Sequence, residues 1–202
     1  MPALLLPDEL FLLAHRRSGA RRVDRIPMGA GLAGGTLGEL RIRGRIGIDD
    51  TADPWMLAVH RDDPTGEPIL DRALAVLAAE PPRPPHEWIE RLRVTALDES
   101  ADRLARQGLF NPEGKRRERV SNAIPAARAR VVDAVSMSNM DSQAGMLALM
   151  VWAMELTGPV LGRLAWPVRY RLWRLAMGDW LCFAVRTTIG LYTQVPFQGG
   201  GG

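Results

Sequence analysis

Gly29-Ala30-Gly31-Leu32-Ala33-Gly34 matches a spacing that cradles phosphate elsewhere, G-x-G-x-x-G. In a dinucleotide site these glycines let backbone N–H groups approach a pyrophosphate. Such a site also needs a strand before the turn and an acid at the end of a second strand. Arg21 to Met28 is charged and interrupted by Pro27, so no strand feeds the motif, and Asp49 and Asp50 downstream lie in the wrong context. Tight helix packing is the better reading, with backbone N–H groups at this helix start as a weaker option for holding an anion.

Other chemistry-bearing residues do not assemble into a reaction. Glu9, Glu39, Asp49, Asp50 and Asp71 are carboxylates without a coupled histidine or nucleophile at readable spacing, so capping and salt bridging explain them. His15, His60 and His86 are scattered, show no metal-ligand spacing and read as surface or boundary residues. Ser136 and Ser138 lack the G-x-S-x-G context of a nucleophile elbow. Cys182, the one cysteine, sits in Trp180-Leu181-Cys182-Phe183 and reads as a core thiol. A lone cysteine excludes an intrachain disulfide and a cysteine-based zinc cage. The expectation is no enzyme, no metal and no cofactor.

The basic residues offer a different chemistry. Of 26 basic side chains only Lys115 is a lysine, and arginine binds phosphate with a two-pronged fork where lysine is a point charge. The densest run is Lys115-Arg116-Arg117-Glu118-Arg119, followed by Arg128 and Arg130. It reads first as a solvated loop. A patch for anionic lipid comes second, each basic residue near such a surface contributing about 1 kcal/mol. Nucleic acid ranks third, since no aromatics interleave and no known motif surrounds the run.

Pro167 to Met177 carries the other candidate. At 3.6 residues per turn, Val168, Leu172, Leu175 and Ala176 share one arc. Trp166, Tyr170, Trp173 and Met177 share a second, with Arg171 and Arg174 beyond it. Rings beside arginines are the composition of an interfacial helix. Burial of both apolar arcs inside a bundle is the reading given more weight. If exposed, the second arc becomes a membrane face or a self-association face.

The elements that position these residues are mostly helical. The chain has 202 residues, 47% of them hydrophobic and 24% charged, enough for one sizeable core. Pro7-Asp8-Glu9 starts a helix, with acids at its positive end. Arg16 to Arg25 is a loop, and Gly29 to Leu40 a buried helix. Arg45–Asp49 and Met56–His60 form a small hairpin. Thr65-Gly66-Glu67-Pro68 opens a helix to about Ala79, and His86 opens another through Leu92. Asp98 to Gln107 is a helix stopped by Gly108, and Asn111 to Asn122 is irregular. Pro125–Val135, Gln143–Leu156, Pro167–Met177 and Asp179–Ile189 complete the set. The fold class is all-α: a globular helical bundle with one or two short β-hairpins, occupying residues 1–193 as one domain before a flexible Gly-rich tail, 194–202. The start of the chain lacks the positive charge of a signal peptide, and its longest apolar run, Ala144 to Met154, falls short of the roughly 20 residues of a membrane span. The expected setting is cytoplasmic and reducing.

Four ordered blocks carry a resemblance. They are Leu5-Leu6-Pro7-Asp8-Glu9-Leu10, then Gly31-Leu32-Ala33-Gly34-Gly35-Thr36-Leu37-Gly38-Glu39-Leu40 with Arg43-Gly44-Arg45-Ile46, then Pro64-Thr65-Gly66-Glu67-Pro68-Ile69-Leu70-Asp71, and Trp88-Ile89 leading to Gly108-Leu109. Their order and spacing resemble the Golgi phosphoprotein 3 family from Leu4 to about Leu109, and the length and arginine bias are similar to its bacterial branch. The resemblance implies a helical, non-enzymatic adaptor domain, cytosolic and docked on membranes, whose eukaryotic relatives bind phosphatidylinositol 4-phosphate and help retain glycosyltransferases. It also implies a shortened β-hairpin between Gly108 and Pro125. At the family's headgroup-binding positions Asp24 replaces a tryptophan, Ala33 an arginine, and Val94 and Leu97 a pair of arginines. The headgroup role then falls to Arg25, Arg91 and Arg93, with Gly31 at the helix start. Arg116, Arg117, Trp166, Tyr170 and Trp173 are the membrane-facing candidates. The expected partners are anionic phospholipid headgroups of the phosphatidylinositol phosphate kind, and a protein partner or a second copy, without nucleic acid.

Overall fold

Pro7, Asp8 and Glu9 open the first helix, α1 (Leu6–Leu13), as their chemistry predicts. In this computed structural model, which describes residues 4–16, 18, 20–109, 123–137 and 142–193 (without the side chains of 123, 124, 126, 127, 136 and 137), both acids are buried. The Leu5 N–H donates to Asp8 (3.0 Å) and the Leu6 N–H to Glu39 (2.9 Å), so the unpaired amides of the first turn find carboxylates. Arg103 reaches the same Asp8 (3.0 Å) and also Glu67 (2.8 Å).

The centre of the fold is α2 (Arg25–Ile42), buried without break from Met28 to Leu40. A helix that is apolar all round has neighbours on every side. Here α1, α3 (Pro68–Ala79), α4 (Pro85–Arg106), α6 (Gln143–Ala153) and α8 (Trp180–Thr193) all pack on it. Small residues let them approach closely. A Cβ at Gly31 would fall 2.1 Å from the Met154 sulfur, and one at Gly29 would fall 2.7 Å from the Arg93 carbonyl oxygen. Packing therefore claims the glycine motif, and the helix starts at Arg25, well before Gly31.

The strands β1 (Ile46–Asp49) and β2 (Met56–Val59) pair antiparallel, Ile46 opposite Val59, as one hairpin. Thr65 donates to Asp71 through both its N–H and its hydroxyl (each 2.6 Å), which fixes the turn before α3. The expected helices His86–Leu92 and Asp98–Gln107 are one continuous element, α4. Nothing between them breaks a helix: the β-branched pair Val94-Thr95 costs only a few tenths of a kcal/mol in propensity, and no glycine or proline intervenes. Gly108 follows its end with φ +67, the left-handed position predicted for it.

In the second half, α5 (Ala123–Met137) and α6 pack together, and α6 ends at Ala153 rather than Leu156. Glu155 adopts φ +58 and a five-residue π turn, Thr157–Leu161, follows. α7 (Trp166–Met177) lies against α5, α6 and α8. Asp179 starts α8, its carboxylate accepting from the N–H groups of Leu181 (3.0 Å) and Cys182 (2.9 Å). One hydrophobic core runs from Leu5 through α8 to Ile189. The chain is all-α with a single described hairpin. The Lys115–Arg119 run with Arg116 and Arg117, the expected hairpin before Pro125, Ser138 and the tail 194–202 lie outside the described residues.

Candidate functional site

The arginines near the centre of the fold do not converge. Arg91 and Arg93 are two apart on α4, about 200° around the helix, so they point to different neighbours. Arg91 pairs with Glu80 at the end of α3. Arg93 fills its fork with Glu90, at 2.7 and 2.6 Å, and lies 4.4 Å over the Tyr192 ring of α8, whose hydroxyl donates to the same Glu90. Glu90 holds the Arg93 charge more firmly than in water, and Arg93 in turn holds the Glu90 carboxyl below its usual range. Arg25, at the start of α2, stands 3.8 Å from Asp98 in a solvent-exposed pair. Gly31 is buried inside α2 against Met154 and offers no backbone N–H to a ligand, because a helix interior spends those groups on its own carbonyls. Ala33 is fully buried beside it, whereas Val94 is 62% exposed.

A second charged region is a cleft of about 200 Å³ between α3 and α4, lined by Pro68, Arg72, Glu99, Arg103 and Gln107. Two of its three arginines are already committed: Arg72 donates to Glu99 (2.6 Å), and Arg103 to Asp8 and Glu67, while Arg106 lies exposed at its rim. The Asp8 and Glu67 carboxylates outweigh the burial that opposes the Arg103 charge and raise its pKa. Capping and ion pairing also account for Glu9 with Arg130, Glu39 with the Leu6 N–H and Arg43, and Asp49 with Thr51, as the spacing suggested.

The exposed side of α7 is built differently. Leu172 and Ala176 point into the core, with Val168 and Leu175 half-buried beside them. Trp166, Tyr170, Trp173 and Met177 point outward, with exposures of 65, 47, 43 and 41%. This overturns the expectation that both arcs are buried. The bundle needs one arc of α7 to close its core, and the second lies nearly opposite, with no described element of the fold over it. The rings stack as a ridge, Trp166 to Tyr170 at 5.3 Å and Tyr170 to Trp173 at 5.7 Å between centroids. At about 100° per residue, Arg169 flanks the ridge on one side and Arg174 and Arg171 on the other. All three are exposed. Trp166–Met177 contains no acid, and among the described residues Arg169 and Arg174 meet no carboxylate.

Arg169 was missed in the sequence, although the acid-free composition of this segment was a signal for it. The cluster of Arg93, Glu90 and Tyr192 joins residues about a hundred positions apart, which spacing does not reveal. His15 corrects another expectation: it is buried, with Nδ1 2.7 Å from the Phe11 carbonyl and its ring 4.3 Å from the Phe11 ring. Cys182 is the core thiol expected, pushed above its usual pKa by burial. Among the described residues no group of three or more His, Cys, Asp or Glu side chains could hold a metal, and no described helix is long and apolar enough to cross a membrane.

No curated protein matches the chain. The family model described as Golgi phosphoprotein 3 (GPP34) matches residues 6–191, from the start of α1 into the last turn of α8. The ordered motif blocks, the glycine-packed central helix and this match agree: the chain belongs to the Golgi phosphoprotein 3 family.

Proposed function

We propose that this chain is a peripheral, non-enzymatic adaptor-like domain that binds anionic phospholipid headgroups through an arginine-bearing surface, and that α7 is that surface. The observation that carries the reading is the exposed ring ridge of Trp166, Tyr170 and Trp173 flanked by Arg169, Arg171 and Arg174. Indole and phenol rings settle at headgroup depth, where an apolar body and a polar edge are both satisfied, while guanidinium groups meet phosphate. Family membership supplies the adaptor class, and the setting that follows is the cytoplasmic face of a membrane.

Co-sedimentation with neutral and anionic vesicles across a salt series tests it. Binding to anionic vesicles that weakens as salt rises is expected, because exposed charges are screened within about 10 Å at 0.1 M ionic strength. Equal recovery on neutral and anionic vesicles would contradict it. A second reading, a protein–protein interaction module on the same scaffold, is favoured by one observation: Arg25, Arg91 and Arg93 are each paired with a carboxylate of the same chain. Under that reading neither vesicle retains the protein.

A further inference from the structure

We propose that α7 reads the charge density of a bulk anionic phospholipid surface, several headgroups at once, rather than one phosphoinositide headgroup. This rests on the lipid-binding reading above and names its ligand class.

Selective grip on a phosphorylated inositol needs convergent donors whose forks are open. Arg25, Arg91 and Arg93 do not converge, and the forks of Arg91 and Arg93 are already occupied. Arg93 spends its fork on Glu90 and its face on Tyr192, Arg91 turns to Glu80, and Arg25 leans to Asp98. A phosphate arriving at Arg91 or Arg93 would have to displace a carboxylate, with the apolar Val94 exposed beside them.

On α7 the guanidinium groups are spread instead of gathered. Arg169 and Arg174 stand on opposite flanks of a helix about 10 Å across and about 7.5 Å apart along its axis. That spread exceeds one phosphate, so each meets a separate headgroup while the ring ridge between them enters the interface. The charge balance of the chain agrees. Setting aside Arg169, Arg171 and Arg174 leaves 23 of the 26 basic residues, equal to the 23 acids, so the net charge of +3 equals what this helix carries. A second copy of α7 is a poor occupant of the same face, since two ridges in register would bring like-charged flanks together.

The test partitions the protein onto phosphatidylglycerol vesicles and onto phosphatidylinositol 4-phosphate vesicles brought to the same zeta potential, with neutral vesicles as baseline. Equal partitioning within about twofold is expected on the two anionic sets. Replacing Arg169, Arg171 and Arg174 by Gln should lower it roughly a hundredfold, about fivefold for each charge. Arg25→Gln/Arg91→Gln should leave it within about twofold, with circular dichroism verifying the fold of both variants. A preference of tenfold or more for the phosphoinositide at equal potential overturns the inference and leaves the lipid reading standing. No gain over neutral vesicles overturns both. Dimerisation abolished by Trp173→Ala, without vesicle binding, makes α7 a self-association face and also overturns both.

Discussion

A methyl group added at Gly31 has nowhere to go. The Met154 side chain fills that space and is itself buried, so the helix or the methionine must shift. Gly31→Ala should cost about 1–3 kcal/mol in a urea titration, the usual range for overpacking a core. Gly190, on the exposed side of α8, meets nothing within 4 Å of an added Cβ. Gly190→Ala should therefore stabilise the protein by about 0.5–1 kcal/mol, since alanine outranks glycine in a helix. A small loss at Gly31 would mean that packing does not explain the motif. The two glycines look alike in sequence, and only the identity of the facing element separates them.

Among the elements, Arg103 has the most to hold. It joins α4 to the buried Asp8 of α1 and to Glu67 before α3, and its own side chain is mostly covered. Arg103→Ala should destabilise the domain by about 3 kcal/mol, because a buried carboxylate loses its cation. Denaturant midpoints measure this, and Asp8→Asn/Arg103→Ala should recover part of the loss. Helix existence was legible from periodicity and punctuation throughout, down to the left-handed Gly108. The continuity of α4 was not, because its middle turn is polar and β-branched and gains its order from α2. Nor was the exposure of the α7 ridge. Periodicity separates the two apolar arcs of that helix but does not say which of them a neighbour covers.

For the whole molecule, the carboxylates set a pH dependence. Burial raises the pKa of Asp8 and Glu9 above their ordinary 3.8 and 4.5. Their contribution to stability is fully present below those ordinary values and is lost as pH rises through the folded ones. Asp63, Asp71 and Glu90 run the other way. Arg45 lowers the first through a hydrogen bond, Thr65 the second and Arg93 the third, so their contribution holds above the ordinary range and is lost as pH falls below it. As pH rises above about 4.5 the melting temperature should fall, and Glu9→Gln should reduce that fall. A flat profile would mean that burial does not govern these acids.

Arginine chemistry was readable from the sequence, but its location was not, since Arg91 and Arg93 are two residues apart in the chain yet face Glu80 and Glu90 in the fold, while Arg25 faces Asp98. The most direct test of α7 as the membrane-contacting surface is tryptophan quenching by brominated acyl chains in anionic vesicles. Quenching in the wild type should disappear in Trp166→Phe/Trp173→Phe and persist in Trp55→Phe, which alters the other exposed indole, on the β1–β2 turn. Quenching retained in the α7 variant and lost with Trp55 would place the hairpin, not α7, against the lipid.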